Sequence, residues 1–345
     1  NRADVAYCNL CKESFTGHGI SSLAGPPGTS PVDAPAARHV PMLPFNEAAR
    51  SNVRMSRFLF LLLFAAFFGL GGVIGKAYES MELGLALALI LYSILAASAY
   101  FSGSSIVLSI HDAREADPAK HRQLLNVVEE MKIASGIPMP RVYVMETQGM
   151  NAFAAGRKPG VSVVAVTTGL MDRLNREELQ GVVAHEMAHI KSRDTLYNIC
   201  AAVLVGAIVL LSDMFLRDAF FFRGRGRTRG GSGGRGNPAF LLLGILLAIL
   251  APVAAKLLQM SISRQREYHA DAAAAEFTRN PLGLASALEK ISAVGAGVPG
   301  ENRGTQHLFI VNPLRSFTET DSALMSTHPP TELRIRRLKA MAGTG

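Results

Sequence analysis

The chain has 345 residues, of which 49% are apolar. Its mean hydropathy is +0.22 and its formal net charge is +8. This apolar content is high for a soluble protein and favours a protein with membrane spans. The three cysteines, Cys8, Cys11 and Cys200, are too few for a disulfide framework, so nothing in the sequence demands an oxidising compartment.

The first 45 residues are expected to form a disordered extension, because residues 20–45 are rich in Pro, Ala, Gly and Ser. Cys8 and Cys11 are spaced like half of a zinc knuckle, with His18 as a third ligand. No second Cys/His pair follows at finger spacing, so the absence of a metal site is favoured there over a zinc knuckle. The role of this extension stays open.

Four apolar stretches follow, at residues 58–75, 83–110, 195–212 and 236–255. Their lengths predict two transmembrane hairpins, one within residues 46–110 and one within residues 195–262. The alternative for the last two stretches is a pair of buried core helices. The first stretch is too long and too far from the start for an ordinary cleaved signal peptide.

The remaining sequence predicts a soluble domain in two parts, residues 111–194 and 263–345. Residues 121–134 have the apolar periodicity of an amphipathic helix, and residues 141–146 alternate like a strand. A Gly/Pro turn between residues 151–155 and 161–167 predicts a β-hairpin. Further helices are expected at residues 263–277, 281–293 and 331–341, with residues 295–325 mostly in loops.

The strongest motif lies in a predicted helix between the hairpin and the third stretch. His185 and His189 are four residues apart, so both imidazoles lie on one helical face and can reach one metal ion. With Glu186 between them, they form the His-Glu-x-x-His pattern of zinc peptidases, in which the glutamate handles the proton of a metal-bound water. Asn175 and Glu178 predict a capping box at the start of this helix.

A catalytic zinc site needs a third protein ligand, and the best candidate is Glu267. Asp271 lies one helical turn later and can accept a hydrogen bond from a ligand histidine. His269 is a rival ligand, but it lies about 200° around the helix from Glu267, so both cannot face one metal ion. The fourth stretch stays apolar past Lys256 to Ile262. His189 lies about six residues before the third stretch begins and Glu267 about five residues after Ile262, so both lie on the order of 10 Å beyond the apolar stretches at about 1.5 Å per residue. The metal would therefore lie close to the membrane face.

Several motifs together resemble the HtpX-type membrane zinc metalloproteases and, more distantly, the CAAX prenyl endopeptidases. These are His185-Glu186-Met187-Ala188-His189, Glu267-Tyr268-His269-Ala270-Asp271, Asn151-Ala152-Phe153-Ala154, Thr167-Thr168-Gly169-Leu170 and Ser326-Thr327-His328-Pro329-Pro330. The resemblance covers residues 42–341, and Met42 resembles a family start. It implies a mainly α membrane protein with four transmembrane helices and a zincin-like α+β metalloprotease domain that carries a small β-sheet.

The resemblance also implies the chemistry of the site. One zinc ion would be held by His185, His189 and Glu267, with Glu186 as general base and then acid. His328 would stabilise the oxyanion, unless it is only a residue at the entry of the last helix. The exposed edge of the strand Asn151, Ala152, Phe153 and Ala154 would bind an extended peptide by strand addition.

The sequence favours an integral-membrane endopeptidase that acts on unfolded or membrane-protein substrates in protein quality control. The alternatives are a CAAX-type prenyl-protein endopeptidase and a non-catalytic membrane scaffold with a structural zinc. The Arg/Gly run at residues 223–231 is interpreted as a loop that touches the lipid bilayer rather than as an RNA-binding segment, so no nucleic acid is expected. The sequence leaves the oligomeric state open.

The distribution of charge predicts the orientation in the membrane. Arg50, Arg54 and Arg57 precede the first stretch, so the positive-inside rule places the N-terminus and the catalytic domain in the cytoplasm, at a bacterial inner membrane. The loop at residues 213–237 has six arginines and two aspartates, a net charge of +4, and a full second hairpin would place it outside. We predict that both stretches of the second hairpin cross the membrane fully, although this places the basic loop outside, against the positive-inside rule.

Overall fold

A computed structural model describes residues 44–77, 79–200, 202, 264–294, 297–300, 305–311 and 329–343. These residues belong to one compact unit, Met42–Gly345, which is mostly helical with a small mixed sheet. The predictions for Cys8 and Cys11, for the Arg/Gly run, for the fourth apolar stretch and for His328 lie outside the described residues.

Two long helical segments form the first predicted hairpin. Helix α1 spans Phe45–Ala77, and helix α2, Met81–Ala97, continues through a π-helical segment, Ser98–Ser102, into α3, Gly103–Ile110. Both segments are long and apolar enough to cross a membrane, as the sequence predicts. The third apolar stretch begins in a helical segment at residues 194–200, and most of its remainder lies outside the described residues.

Glycines allow the two helices of this hairpin to approach closely. A Cβ atom on Gly84 of α2 would lie 2.2 Å from the carbonyl oxygen of Gly71 and 2.5 Å from the Cα atom of Gly75 on α1. Small residues at such a crossing let helix backbones pack without intervening side chains.

The start of α1 packs against the soluble domain. Asn52 Nδ2 donates a hydrogen bond to the carbonyl oxygen of Ser192 at 2.9 Å. The Phe45 ring stacks on Phe277 and contacts His269 edge to face. The beginning of α1 therefore lies beside the helices that carry the candidate site.

The sheet has four strands: β1 Arg114–Glu115, β2 Arg141–Met145, β3 Ala152–Ala155 and β4 Val163–Thr167. Their order is β1-β2-β4-β3. Strands β2 and β4 are parallel, and the other pairs are antiparallel. The predicted hairpin is thus confirmed as β3 and β4. Strand β1 was not predicted, because two residues are too few to show an alternating pattern.

Both faces of the sheet are buried at β3 and β4, because every side chain of these strands is buried and successive side chains point to opposite faces. Val164 and Val166 of β4 belong to a core with the soluble helices, whereas Val163 and Ala165 pack in a second core that includes residues of α1 and α3. The sheet therefore joins the long apolar helices to the other helices of the domain.

Six helices complete the described domain. These are α4 Arg122–Ser135, α5 Thr168–Arg173, α6 Arg176–Ser192, α7 Arg264–Thr278, α8 Pro281–Val294 and α9 Thr331–Met341. The ends of the four predicted helices that appear here agree with the sequence to within one residue. Gly181 of α6 allows a close approach to α8, since a Cβ atom there would lie 2.6 Å from the backbone nitrogen of Leu284.

Candidate metal centre

Helix α6 positions the central motif, and its sequence explains where it begins. Asn175 Oδ1 accepts from the backbone N–H of Glu178 at 2.9 Å, and the Glu178 side chain accepts from the backbone N–H of Asn175 at 2.8 Å. This is the predicted capping box. The helix ends where Arg193 adopts a left-handed conformation with φ of 56°.

Three side chains from α6 and α7 converge in a buried cluster. The Nε2 atoms of His185 and His189 are 3.1 Å apart. Glu267 Oε2 lies 3.8 Å from the first of these nitrogens, and Oε1 lies 3.7 Å from the second. One ligand atom from each residue thus fits within 4.8 Å of the others, which is the spacing of a shared metal ion.

Each histidine of this cluster also contacts a carboxylate through its other ring nitrogen. His185 Nδ1 lies 3.0 Å from Asp271 Oδ1, the contact that the sequence analysis expects. His189 Nδ1 lies 2.8 Å from Asp194 Oδ2, a partner that the sequence analysis missed. If each Nδ1–H donates to its carboxylate, each Nε2 keeps its lone pair and turns it towards the common centre.

Arg334 of α9 is the second residue that sequence reasoning missed. It is only 1% exposed and donates to both carboxylate oxygens of Asp271, at 2.7 and 2.9 Å. Its Nη1 atom lies 3.4 Å from Glu267 Oε2 and also donates to the carbonyl oxygen of Ile310 at 2.9 Å. Arg334 therefore holds Asp271 and Glu267 in place. The basic composition of the last helix gave no sign that one of its arginines would be buried.

The electrostatics of the cluster favour a cation. Burial lowers the pKa of His189, but Asp194, Glu267 and Glu186 outweigh burial and raise that pKa to about 10. The same carboxylates favour a divalent metal ion at this place. The donor set, two imidazole nitrogens and one carboxylate, is one that zinc prefers, and two Zn–N bonds at a tetrahedral angle would separate the nitrogens by roughly 3.3 Å. The observed 3.1 Å fits such an ion.

Glu186 lies beside this cluster at the wall of a small cavity. The cavity is about 10 Å³ in volume and is also lined by His185, His189, Glu267, Ala154 and residues 307–310. A cavity of this size holds about one water molecule. Burial raises the pKa of the Glu186 carboxyl to about 8, and the neighbouring Glu267 contributes to the increase. The arrangement thus places the Glu186 carboxyl next to a one-water space beside the three candidate metal ligands.

The rival ligand His269 points to a different place. Its ring lies 4.9 Å from the Phe45 ring in an edge-to-face contact. Glu267, and not His269, is the residue of this segment that joins the two histidines of α6. This agrees with the helical geometry, which puts the two side chains on different faces.

The expected substrate strand lies next to the site, but its edge is not exposed. Strand β3 is the last strand of the sheet. Its residue Phe153 forms an antiparallel bridge with Phe309, which lies in a segment at residues 305–311. The backbone N–H of Ile310 donates to the carbonyl oxygen of Ala152 at 3.0 Å. The expectation of a free edge was wrong at these positions, because the chain itself supplies the pairing strand.

Asn151, the residue before β3, helps to fasten this segment. Its Nδ2 atom donates to the carbonyl oxygen of Val311 at 2.9 Å. At the other end of the segment, His307 Nε2 lies 3.0 Å from the carbonyl oxygen of Asn198. Segment 305–311 thus covers β3 and closes one side of the cavity. Ala154 lies beyond the last residue of β3 that pairs with this segment, and it lines the cavity.

Three comparisons relate this chain to known proteins. A sequence profile described as Peptidase family M48 matches residues 118–342. A "Protease HtpX homolog" from Dictyoglomus turgidum is 44% identical over 298 residues, which are 86% of this chain and 95% of the relative. Another from Salinibacter ruber is 43% identical over 290 residues, 84% of this chain and 99% of the relative. The crystal structure of S. mikatae Ste24p has a TM-score of 0.47 and 16% identity, covering 85% of this chain and 67% of that one. The profile match and the two relatives show that the chain belongs to peptidase family M48, as an HtpX-type metalloprotease.

Proposed function

We propose that this chain is an integral-membrane zinc endopeptidase that hydrolyses peptide bonds in unfolded or membrane proteins. The observation that carries the proposal is the convergence of His185, His189 and Glu267 beside a cavity of one-water size that Glu186 lines. Two imidazoles and one carboxylate leave a fourth position open, which is the arrangement of catalytic rather than structural zinc sites.

His185, His189 and Glu267 would hold one zinc ion, and Asp271 and Asp194 would orient the two histidines. A bound zinc ion supplies a Lewis acid for the scissile carbonyl and a water that is acidic enough to ionise near pH 7. Glu186 would accept a proton from that water and pass it to the leaving amine. The nearby divalent charge would lower the pKa of this carboxyl from the high value that burial gives it, so that it starts as the carboxylate.

The substrate would bind as an extended strand along β3, the strand that runs from Ala152 to Ala155. Backbone pairing recognises any peptide in an extended conformation, which suits an enzyme with broad specificity. Since Phe309 and Ile310 already pair with this strand, they must leave before a substrate can pair along its whole length. We assign His328 the stabilisation of the oxyanion, from the segment just before α9.

The location of the enzyme follows from its apolar helices. Helix α1 and the continuous α2–α3 segment would form the first of two transmembrane hairpins, and the stretches at residues 195–212 and 236–255 would form the second. Because the start of α1 packs against Ser192, two crossings bring the catalytic domain back to the side from which α1 starts. The arginines before the first span put that side in the cytoplasm, at a bacterial inner membrane. A role in protein quality control suits this position.

The test compares purified wild-type protein with Glu186→Gln on unfolded casein, with zinc present and after chelation. The variant keeps the three metal ligands and loses the proton acceptor, so zinc content should be unchanged while turnover falls by roughly 10²–10⁴-fold or more. Turnover near that of the wild type, with contaminating proteases excluded, would refute the mechanism. Equal inactivity of both proteins, with zinc bound, would point instead to a non-catalytic scaffold. Cleavage of only a prenylated peptide would point to the CAAX-type activity.

A further inference from the structure

A second cavity lies where the long apolar helix meets the sheet, away from the metal-binding cluster. Its volume is about 210 Å³. It is lined by the π-helical segment and the first turn of α3 on one side and by the β2 and β3–β4 regions on the other. The lining residues that carry the argument are Tyr100, Phe101, Ser104, Ser105, Arg141 and Arg157.

Two guanidinium groups face this cavity without an acidic partner in the described part of the chain. Instead, the Arg157 guanidinium lies 5.3 Å from the centre of the Tyr100 ring and 5.0 Å from that of Phe101. The Arg141 guanidinium lies 5.7 Å from the centre of the Tyr143 ring. No aspartate or glutamate lines the cavity among the described residues. Rings hold an arginine by its π-face, so its N–H groups stay free to bind an anion.

The chemistry of the lining selects a phosphate group. Arginine presents parallel N–H donors that match the oxygens of a phosphate, and two arginines together supply two positive charges. The hydroxyl groups of Ser104 and Ser105 add hydrogen-bond donors. The cavity is smaller than the roughly 300–1,000 Å³ of a site for a drug-sized ligand, so it suits a headgroup fragment rather than a whole lipid.

The position of the cavity at the level of the membrane interface favours a lipid as the source of that phosphate. About 20 helical residues cross the hydrocarbon core, so a span that starts at Met81 reaches the interface near Tyr100. Tyr100 and Phe101 are 41% and 67% exposed, as expected of aromatic residues at the level of the headgroups. Lys158, next to Arg157, is also exposed and adds to the attraction of an anionic surface.

We propose that this cavity binds the headgroup phosphate of an anionic phospholipid, through Arg141 and Arg157. A cationic group on the headgroup would weaken the attraction to the two arginines, so phosphatidylglycerol should bind better than phosphatidylcholine, whose choline is positively charged. Because Arg157 follows β3 after one glycine, the bound lipid would tie the end of the proposed substrate strand to the membrane. The site is independent of the proposed hydrolysis and depends only on the membrane location of the α2–α3 segment.

The experiment measures the melting temperature of the purified full chain in detergent micelles during titration with phosphatidylglycerol, phosphatidylcholine or glycerol 3-phosphate. Phosphatidylglycerol should raise the melting temperature of the wild type in a saturable manner, and the other two should have little effect. In the double variant Arg141→Gln/Arg157→Gln, the concentration for half of the effect should rise about tenfold or more.

The matched control is Arg122→Gln/Arg336→Gln, which removes the same charge from two exposed arginines that do not line the cavity. It should respond to phosphatidylglycerol like the wild type. An equal loss in both double variants would mean diffuse attraction to the surface and would overturn the site. A full response to glycerol 3-phosphate would show that the site binds a soluble phosphate compound rather than a lipid, and it would overturn the proposal.

Should the glutamine variant fail to fold, Arg141→Lys/Arg157→Lys decides the question. This variant keeps the positive charge and loses only the paired donors, so its response should still weaken several-fold. An unchanged response in the lysine variant, or in a folded glutamine variant, would overturn the proposal.

Discussion

Asp194 lies 2.8 Å from the Nδ1 atom of His189, although it is outside the helix that carries this histidine. Arg193 ends α6 in a left-handed conformation, and the next helical segment starts at residue 194. This turn brings the Asp194 carboxylate back to the last turn of α6, where it is 2% exposed. With Asp271 beside His185, both histidines of the motif are oriented by a buried carboxylate.

Replacing this carboxylate should weaken zinc binding without removing a ligand. In the wild type, the Asp194 charge orients His189 and makes its Nε2 atom more basic. Asp194→Asn removes this charge, so zinc affinity should fall by roughly 10–100-fold. Competition with a chromophoric chelator measures this affinity. Asp172→Asn is the control, because Asp172 is exposed and outside the site. Equal zinc affinity in wild type and Asp194→Asn would show that the contact has no role in metal binding.

The choice between the two candidate ligands on α7 can be tested directly. Glu267→Ala should lose bound zinc, because it removes one of three ligands, whereas His269→Ala should retain it. Zinc content by mass spectrometry of the purified proteins gives the answer. His269→Ala should instead lower the melting temperature, since its ring packs against Phe45. Loss of zinc in His269→Ala together with retention in Glu267→Ala would reverse the assignment.

The segment that covers β3 should control access of substrates. Phe153 and Phe309 are directly paired, and paired residues of antiparallel strands have Cα atoms about 4.5–5.5 Å apart, within reach of a disulfide. In a protein with its native cysteines changed to alanine, Phe153→Cys/Phe309→Cys should form a crosslink upon oxidation. The oxidised protein should lose casein cleavage and regain it after reduction.

The single variants Phe153→Cys and Phe309→Cys are the controls for this crosslink, and their activity should not respond to oxidation. If the crosslinked protein cleaves casein as fast as its reduced form, substrates do not need the edge that this segment covers.

Glu178 should stabilise the domain in a manner that depends on pH. Burial raises the pKa of its carboxyl, but hydrogen bonds from Lys290, Ser286 and the backbone of Asn175 outweigh burial and lower the pKa below its ordinary value. The folded state thus binds the proton less well than the unfolded state. The stabilisation is complete above the unfolded pKa of about 4.3 and is lost as the pH falls through the lower folded pKa.

Glu178→Gln should therefore lower the melting temperature at pH 7 by at least about 3 °C, as expected for the loss of roughly 1–3 kcal/mol. The difference from the wild type should shrink below about pH 4.3. Glu129→Gln is the control, because Glu129 is exposed on α4. A difference that stays constant down to the lowest measurable pH would mean that the Glu178 charge is not its source.

The topology of the second predicted hairpin can be tested through its basic loop. A cysteine at Ser232, in a protein without its native cysteines, should react with a membrane-impermeant thiol reagent on intact spheroplasts. The expected reaction follows from full crossing, which places residues 213–237 outside. A cysteine at Glu129 of the catalytic domain is the control and should react only after the membrane is opened. If Ser232 behaves like this control, the four-span topology is wrong.

The sequence by itself determined the local elements of this protein. The spacing of His185 and His189 is set by one helical turn, and the capping box of Asn175 and Glu178 lies within four residues, so both can be recognised from neighbours in the chain. The hairpin of β3 and β4 and the two long apolar helices were likewise visible from periodicity and length. Glu267 and Asp271 are also four residues apart, so one helical turn places both on the same face of a helix.

Only the tertiary structure decided which distant residues complete the site. Arg334 is 149 residues from His185, and segment 305–311 pairs with a strand about 150 residues earlier, and no local pattern marks either relationship. Asp194 is close to His189 in sequence, but its contact depends on the left-handed turn at Arg193. Such contacts arise when packed elements bring buried charges and unpaired backbone groups together, and both must then find partners. That requirement explains the buried arginine and the covered strand edge, neither of which periodicity can predict.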